Sequence, residues 1–323
     1  MTAIKDAVAV LRTGGLVAFP TETVYGLGAD ASNPDAVTKI YAAKGRPRSH
    51  PLIVHLHDVS ALPGWAREIP PHAERLAARF WPGPLTLIFK RTPQVLDLVT
   101  GGQDTVALRV PSHPIAQALL REFGGGIAAP SANRYGRVSA TTAEHVRSEF
   151  GRAVECVLDG GASDVGIEST IVDVSGAEPV LLRPGAILLS DLERAAGASV
   201  APRSASSPRA SGTHEKHYAP QTPLLVVESD LLLELAASMT RQGSPIAVLS
   251  RSFAQPLTKN VTWIAAPKDA AGYAHDLYAN LRRLDHSGSS AILVEQPPLE
   301  PEWAAIHDRL TRAAAGSAPP ETT

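Results

Sequence analysis

Three cations, Lys44, Arg46 and Arg48, fall within five positions and are separated by Gly45 and Pro47. The glycine and proline take the chain out of a helical stretch, so the cations are presented from a loop ahead of the apolar run Leu52 to His55. Such a loop either holds phosphate oxygens, by lysine point charge, arginine fork and backbone N–H, or is a solvated basic loop. Two further arginines, Arg109 and Arg183, close the apolar stretches VALRVP and VLLRPG, each just before a proline. A guanidinium among strand apolars is costly to bury unpaired, so each calls for a fixed anion. That anion is an Asp or Glu, or a ligand's carboxylate or phosphate.

Around these cations lie loops of unusual polarity. PTETVYGLGADA, Pro20 to Ala31, follows the run Leu16 to Phe19 with hydroxyls and glycines where a tight turn would suffice. APSANRYGRVSATT places Ser131, Asn133, Arg134, Gly136 and Ser139 ahead of a helix capped by Thr141 or Thr142, a set that suits a polar ligand or a well-capped turn. DGGASDVGIESTIVD brings Glu168, Ser169 and Thr170 to the start of a strand after three glycines, as a glycine hairpin or a close backbone approach to a ligand. His55 and His57 share a strand face, but no further ligand cluster accompanies them, so a polar contact from His55 and a surface His57 are expected. A P-loop is absent, and Gly26, Gly28 and Ala31 lack the strand-end placement and downstream acid of a dinucleotide fingerprint. Neither Ser131 nor Ser169 sits in G-x-S-x-G.

The elements that must position these residues alternate in α/β fashion. Strands are expected at Leu16 to Phe19, Leu52 to His55, Leu85 to Phe89, Val106 to Val110, Ile127 to Ala129, Cys156 to Asp159, Thr170 to Val174 and Val180 to Arg183. Helices are expected at Ala3 to Thr13, Pro34 to Ala43, Pro71 to Arg79, Pro114 to Glu122 and Thr142 to Phe150. Residues 198–221, poor in large apolars and rich in Ser, Pro and Arg, read as a linker after a first domain, 1–197. Strands separated by helices over 222–316 then suggest a small parallel α/β domain, with a disordered tail at 317–323.

With 323 residues, 44% hydrophobic and formal charge −2, the chain has room for two domains and lacks the charge for strong non-specific nucleic-acid binding. Its one cysteine, Cys156, excludes an internal disulfide framework and a Cys-rich zinc site, and reads as a buried strand residue. No charged-then-apolar leader opens Met1 to Leu11 and no apolar run is long enough to span a bilayer, so a cytoplasmic protein is expected.

Taken together and in order, PTETVYGLGADA, KGRPRSHPLIVHL, FWPGPLTLIF, VALRVPSHP, APSANRYGRVS and GIESTIVD resemble the YrdC/Sua5 family over nearly all of residues 4–190, and the linker ending HYAP with the later domain resembles its longer, Sua5-type members. The resemblance implies an α/β fold: a YrdC-like twisted mixed sheet with helices around a large concave cavity, plus a small Rossmann-like C-terminal domain. It implies a nucleotidyltransferase that makes threonylcarbamoyl-AMP and diphosphate from L-threonine, bicarbonate and ATP, with Mg2+ on the phosphates, for t6A at position 37 of tRNA. Downstream, the transferase machinery would receive the product, with direct binding of tRNA left open. By the same likeness Thr23, His55, Arg109, Ser169 and the backbone at Ala129 would hold threonine, with Gly26 and Gly28 letting the chain pass close by. Lys44, Arg46, His50, Thr105, Ser131, Asn133, Ser139 and Arg183 would hold the nucleotide, Lys44 and Arg46 would serve catalysis, and Tyr218 would close over the site. Two positions depart from the family pattern: His50 stands where Asn is usual, and the linker reads ASGTHEK before His217-Tyr218. The rival readings are an RNA-binding module of the same fold and a carbamoyl-adenylate-type transferase.

Overall fold

The computed structural model describes residues 2–255 and 260–317. They form two compact units, one comprising residues up to Tyr135 and Ser139–Thr213, the other Gly136–Val138 and residues from His214 onward.

The first unit is built on a ten-stranded sheet. In chain order its strands are β1 (Val17–Phe19), β2 (Gly26–Asp30), β3 (Ile53–His55), β4 (Leu85–Lys90), β5 (Thr105–Arg109), β6 (Ile127–Ala128), β7 (Cys156–Val157), β8 (Thr170–Asp173), β9 (Val180–Arg183) and β10 (Ala201–Pro202). Their order across the sheet is β10-β9-β8-β4-β5-β3-β6-β2-β1-β7. Pairing is mixed: β3 runs parallel to β5 and β4 parallel to β8, while β4 and β5 are antiparallel. The helices are α1 (Thr2–Arg12), α2 (Pro34–Lys44), α3 (Pro71–Phe80), α4 (Asp97–Thr100), α5 (Pro114–Phe123), α6 (Ala143–Phe150) and α7 (Leu189–Ala196).

Alternation along the strands decides which face each residue serves. Val106 and Leu108 of β5 join Val54, Leu87 and Val172 in the main core, where Ile40, Leu76 and Leu192 from α2, α3 and α7 cover them. Ala107, between them, faces the other way with Ile53, Ile88, Ile171 and Leu182, and Ala210 covers that patch. Each fully buried aliphatic contributes roughly 1.5–3 kcal/mol against exposure. Ala210, in the stretch expected as a linker, thus packs on this sheet, while residues 203–206 are exposed.

Two local features place the basic loop. Asn33 caps α2 by accepting from the N–H of Asp35 and Ala36, with Pro34 in the first turn. At the other end Gly45 adopts φ 63° and the N–H of Arg46 bonds back to Tyr41 O at 3.0 Å, so Lys44 ends the helix and Arg46 turns off it.

The glycine-rich stretch expected as a loop is instead β2, antiparallel to β1 with Phe19 opposite Gly26 and Val17 opposite Gly28. Its glycines are explained by packing: a Cβ on Gly28 would lie 2.7 Å from the Phe19 ring and 2.8 Å from Ile127, and one on Gly26 3.2 Å from Ala129 Cβ. Helix α7 was also not expected; it buries only Leu192 and Ala196, and that short stripe is a weak signal. Cys156 lies half-buried in β7, where burial pushes its thiol up.

The second unit holds a four-stranded parallel sheet, β11 (Leu224–Val227), β12 (Ile246–Ser250), β13 (Val261–Ala265) and β14 (Ala291–Glu295), ordered β11-β14-β12-β13. Helices α8 (Ser229–Arg241), α9 (Ala270–Asp285) and α10 (Ala304–Ser317) complete it. Leu232 and Ala236 of α8 pack on Ile246, Val248 and Leu293. Gly136–Val138 belongs here because Arg137 bridges Ala219, Ala219 N–H donates to Gly136 O, and the Arg282 guanidinium reaches Val138 O. The expected tail beyond Ser317 lies outside the described residues.

Candidate active site

The carboxyl ends of β3 and β5, neighbours in register, bring His55 opposite Arg109. Arg109 is 4% exposed and bonds Glu22, 7% exposed, at 2.7 Å. Of the two anions the sequence allowed for Arg109, a protein carboxylate holds one arm of the fork. The rest of the guanidinium is also engaged: Nε donates to Gly83 O (3.2 Å) and Nη1 to Thr23 Oγ1 (2.8 Å). Glu22 Oε2 accepts from Ser112 N–H at 3.1 Å. No local sequence signal marks Glu22; the one pointer to it is that Arg109 calls for an anion.

Thr23 is wholly buried. Its Oγ1 accepts from Arg109 Nη1 at 2.8 Å and lies 2.9 Å from Thr21 Oγ1, which also accepts from the N–H groups of Thr23 and Val24 (both 3.2 Å) and donates to Val24 O at 2.6 Å. Tyr25 in the same stretch fixes the glycine loop opposite: its hydroxyl donates to Gly161 O (2.8 Å) and accepts from Gly160 N–H (3.1 Å).

His55 is buried edge-on to Phe19, ring centroids 5.9 Å apart, and its Nδ1 has no hydrogen-bond partner among the described residues. Burial, with the Arg109 charge second, pushes it down to about 3 from 6.5. The unfolded chain therefore takes up this proton first, and stability present above pH 6.5 is lost as pH falls toward 3. Chemical denaturation across this range should give a slope of up to about 1.4 kcal/mol per pH unit that flattens in His55→Gln. An unchanged slope in that variant would assign acid lability elsewhere.

Just ahead of β8, Ser169 Oγ contacts Thr86 Oγ1 at 2.8 Å, and Arg183 donates to Ser169 O through Nε and Nη2 (3.1 and 2.9 Å). Arg183 Nη1 reaches Ser211 O at 2.8 Å, and Arg46 Nη2 reaches Ser211 Oγ at 3.4 Å and Pro51 O at 2.8 Å. Arg46 and Arg183, which stand 137 positions apart in sequence (183 − 46), thus meet at one serine that carried no sequence signal. Lys44 does something different from presenting charge on a loop: buried, its ammonium donates to Ser131 O at 2.6 Å and to Asn133 O. Burial holds its pKa well below the ordinary lysine value, Arg46 adds to this, and Glu149 and Glu168 oppose it. Lys44 fixes the Ser131–Asn133 loop by its carbonyls.

The remaining candidates fall as follows. Ala129 N–H donates to Ile53 O at 2.9 Å, tying the strand end beside His55 to β3. His50 Nδ1 lies 3.0 Å from the Tyr135 hydroxyl, and its carbonyl accepts from Tyr41. Ser139 Oγ donates to Glu168 Oε1 at 2.5 Å. Thr105 opens β5 two residues after Gln103, whose side chain exchanges hydrogen bonds with the Arg209 backbone. Tyr218 belongs to the second unit, in the left-handed region (φ 60°), stacked on Tyr278 and beneath the Arg309 guanidinium. His57, expected at the surface, is partly buried beside Asp58, with its side chain 29% exposed.

A twisted mixed sheet with buried guanidiniums and hydroxyls at its strand ends, followed by a small parallel α/β unit, defines the YrdC-like class. Residues 9–185 match the family described as telomere recombination, and residues 187–315 the threonylcarbamoyl-AMP synthase C-terminal domain. The chain belongs to the Sua5/YrdC family. It is 39% identical to a threonylcarbamoyl-AMP synthase of Pyrococcus abyssi, covering 96% of this chain and 94% of that one. It is 41% identical to one of Bacillus subtilis, covering 97% and 93%. Among solved structures, Pyrococcus abyssi Sua5 complexed with L-threonine superposes with a TM-score of 0.89 at 38% identity, over 97% of this chain and 94% of that one.

Proposed function

We propose that this chain is a threonylcarbamoyl-AMP synthase, a nucleotidyltransferase that converts L-threonine, bicarbonate and ATP to threonylcarbamoyl-AMP and diphosphate for the t6A modification of tRNA. The observation that carries this reading is convergence: Arg46 and Arg183 meet at Ser211, Arg183 and Ser169 are joined, and Arg109 sits on β5 at the same edge of the sheet with the Thr23 hydroxyl beside it. Relatives named for this activity over nearly the whole chain support it.

The chemistry asks for two unions. Threonine's ammonium first gives up a proton to solvent; the neutral amine then joins CO2 with loss of a second proton, or bicarbonate with loss of water, to give a carbamate. A carbamate oxygen then bonds the α-phosphorus of ATP as the bond to the bridging oxygen breaks and diphosphate leaves. Two anions must approach each other, so positioned cations and desolvation dominate over covalent catalysis. Arg109 takes the α-carboxylate through the N–H groups that Glu22, Thr23 and Gly83 leave to it, and Thr23, His55, Ser169 and the Ala129 backbone enclose threonine. Arg46 and Arg183 bind phosphate oxygens, with His50, Thr105, Ser131, Asn133 and Ser139 around the nucleotide and Lys44 shaping the Ser131–Asn133 loop. Tyr218 is assigned the closing role from family likeness.

Among the described residues no group of three carboxylate, imidazole or thiolate side chains is gathered to hold an ion. The Mg2+ proposed here is therefore the one ATP brings on its phosphates, completed by water. Among the described residues no helix is long and apolar enough to cross a membrane. A cytoplasmic setting and delivery of the product to a tRNA-modifying transferase complete the proposal.

The purified chain should release diphosphate from ATP only when L-threonine and bicarbonate are both present. Release without threonine, or RNA binding with no such release, would replace this reading with the carbamoyl-transfer or RNA-binding alternative.

A further inference from the structure

The Arg109 guanidinium has five N–H groups, and three are engaged by Gly83 O, Thr23 Oγ1 and Glu22 Oε1. Since Nε has one hydrogen and each terminal nitrogen two, one N–H remains on each terminal nitrogen. Those two are left for further acceptors. Beside them lies the Thr23 hydroxyl, and Glu22 presents a negative charge fixed from several sides, with Arg109 on Oε1, Ser112 N–H on Oε2, and its backbone carbonyl held by Val165 N–H at 2.7 Å. Donors next to acceptors, with the cation already balanced, suit a ligand that is itself a zwitterion.

We propose that Glu22 is a positioning and specificity residue: by occupying one arm of Arg109 and cancelling its charge, it makes this site select α-amino acids and refuse simple anions. The inference rests on the threonine site proposed above. Its physical point is competition. The reaction mixture contains bicarbonate, triphosphate and diphosphate, each of which an unneutralised buried guanidinium would attract. With Glu22 in place, an anion lacking an ammonium group gains one charge contact and meets a second carboxylate. Threonine satisfies both.

The test uses the full chain and 3-hydroxybutyrate, which is threonine without its amine, as the probe. Glu22→Gln should raise KM for threonine roughly 10- to 100-fold while KM for ATP stays within about twofold. The same variant should be inhibited by 3-hydroxybutyrate, competitively against threonine, at concentrations at least about tenfold below those needed for the parent enzyme. Glu22→Asp, which keeps the charge, should recover part of the threonine KM and lose the sensitivity to 3-hydroxybutyrate. Equal sensitivity of parent and Glu22→Gln to 3-hydroxybutyrate, or KM values for threonine and ATP rising in parallel, would overturn the proposal. Should Glu22→Gln fail to fold, the Glu22→Gln/Arg109→Gln pair removes both charges together. It should fold, bind threonine poorly by calorimetry and ignore 3-hydroxybutyrate, and normal threonine binding by that pair would equally overturn it. A parent enzyme inactive with threonine would overturn the functional reading itself, a result distinct from any difference between parent and variant.

Discussion

Arg46→Ala is expected to lower threonylcarbamoyl-AMP formation by on the order of 10²- to 10³-fold, the scale seen when one preorganised oxyanion donor is removed. Arg46 donates to Pro51 O and to Ser211 Oγ, so its loss leaves polar groups that neighbouring water can reach through the vacated volume, at a stability cost of about 1–2 kcal/mol. Rate and stability should therefore separate in this variant. Lys44→Ala offers the contrast, because two carbonyls depend on its buried ammonium. It should lose turnover and shift the denaturation midpoint together, as the Ser131–Asn133 loop loses its anchor. Single-turnover measurement of diphosphate release, paired with urea denaturation of each variant, separates the two cases. Near-normal turnover in Arg46→Ala would remove Arg46 from the phosphate site.

Arg109→Ala should produce the largest loss of stability, about 3–5 kcal/mol, because it strands the Glu22 carboxylate in a place where neither partner exceeds 7% exposure. A buried charge without its partner is penalised far more than the intact pair ever contributes. Adding Glu22→Gln to Arg109→Ala should therefore restore most of that loss, and the double-mutant cycle should show coupling of at least about 1.5 kcal/mol. If the second substitution restores nothing, the cost arises from packing around the guanidinium and the ion pair has been overvalued. Threonine-dependent turnover should be absent from both variants.

What could be read before the structure follows from how local each signal is. Strands β4, β5, β8 and β9 lie within a residue of expectation because each is an apolar run bounded by proline, glycine or charge, a pattern contained within a few positions. Strand β2 was missed for the opposite reason. Glycine disfavours strands locally, and what keeps Gly26 and Gly28 there is the bulk of Phe19, Ala129 and Ile127 pressing on them. The site divides in the same way. That Arg109 required an anion was legible from its apolar flanks, but Glu22 lies 87 positions away, and nothing in either segment names the other. Lys44 was recognisable as a cation near a loop, whereas its acceptors are backbone carbonyls, which have no residue signature at all. Ser211 was hidden in a stretch whose composition speaks only of an inability to form its own core.

Gly136–Val138, which sits in the middle of the sequence that otherwise builds the first unit, is clustered with the second. A cut after residue 213 therefore does not divide the protein along a structural seam: it deletes Ala219 and Arg282, the partners of this tripeptide, while leaving the tripeptide behind. Anyone shortening the protein for crystallography or transplanting its halves should treat Tyr135 to Ser139 as a stitch passing through both pieces of cloth, to be redesigned whenever one piece is taken away.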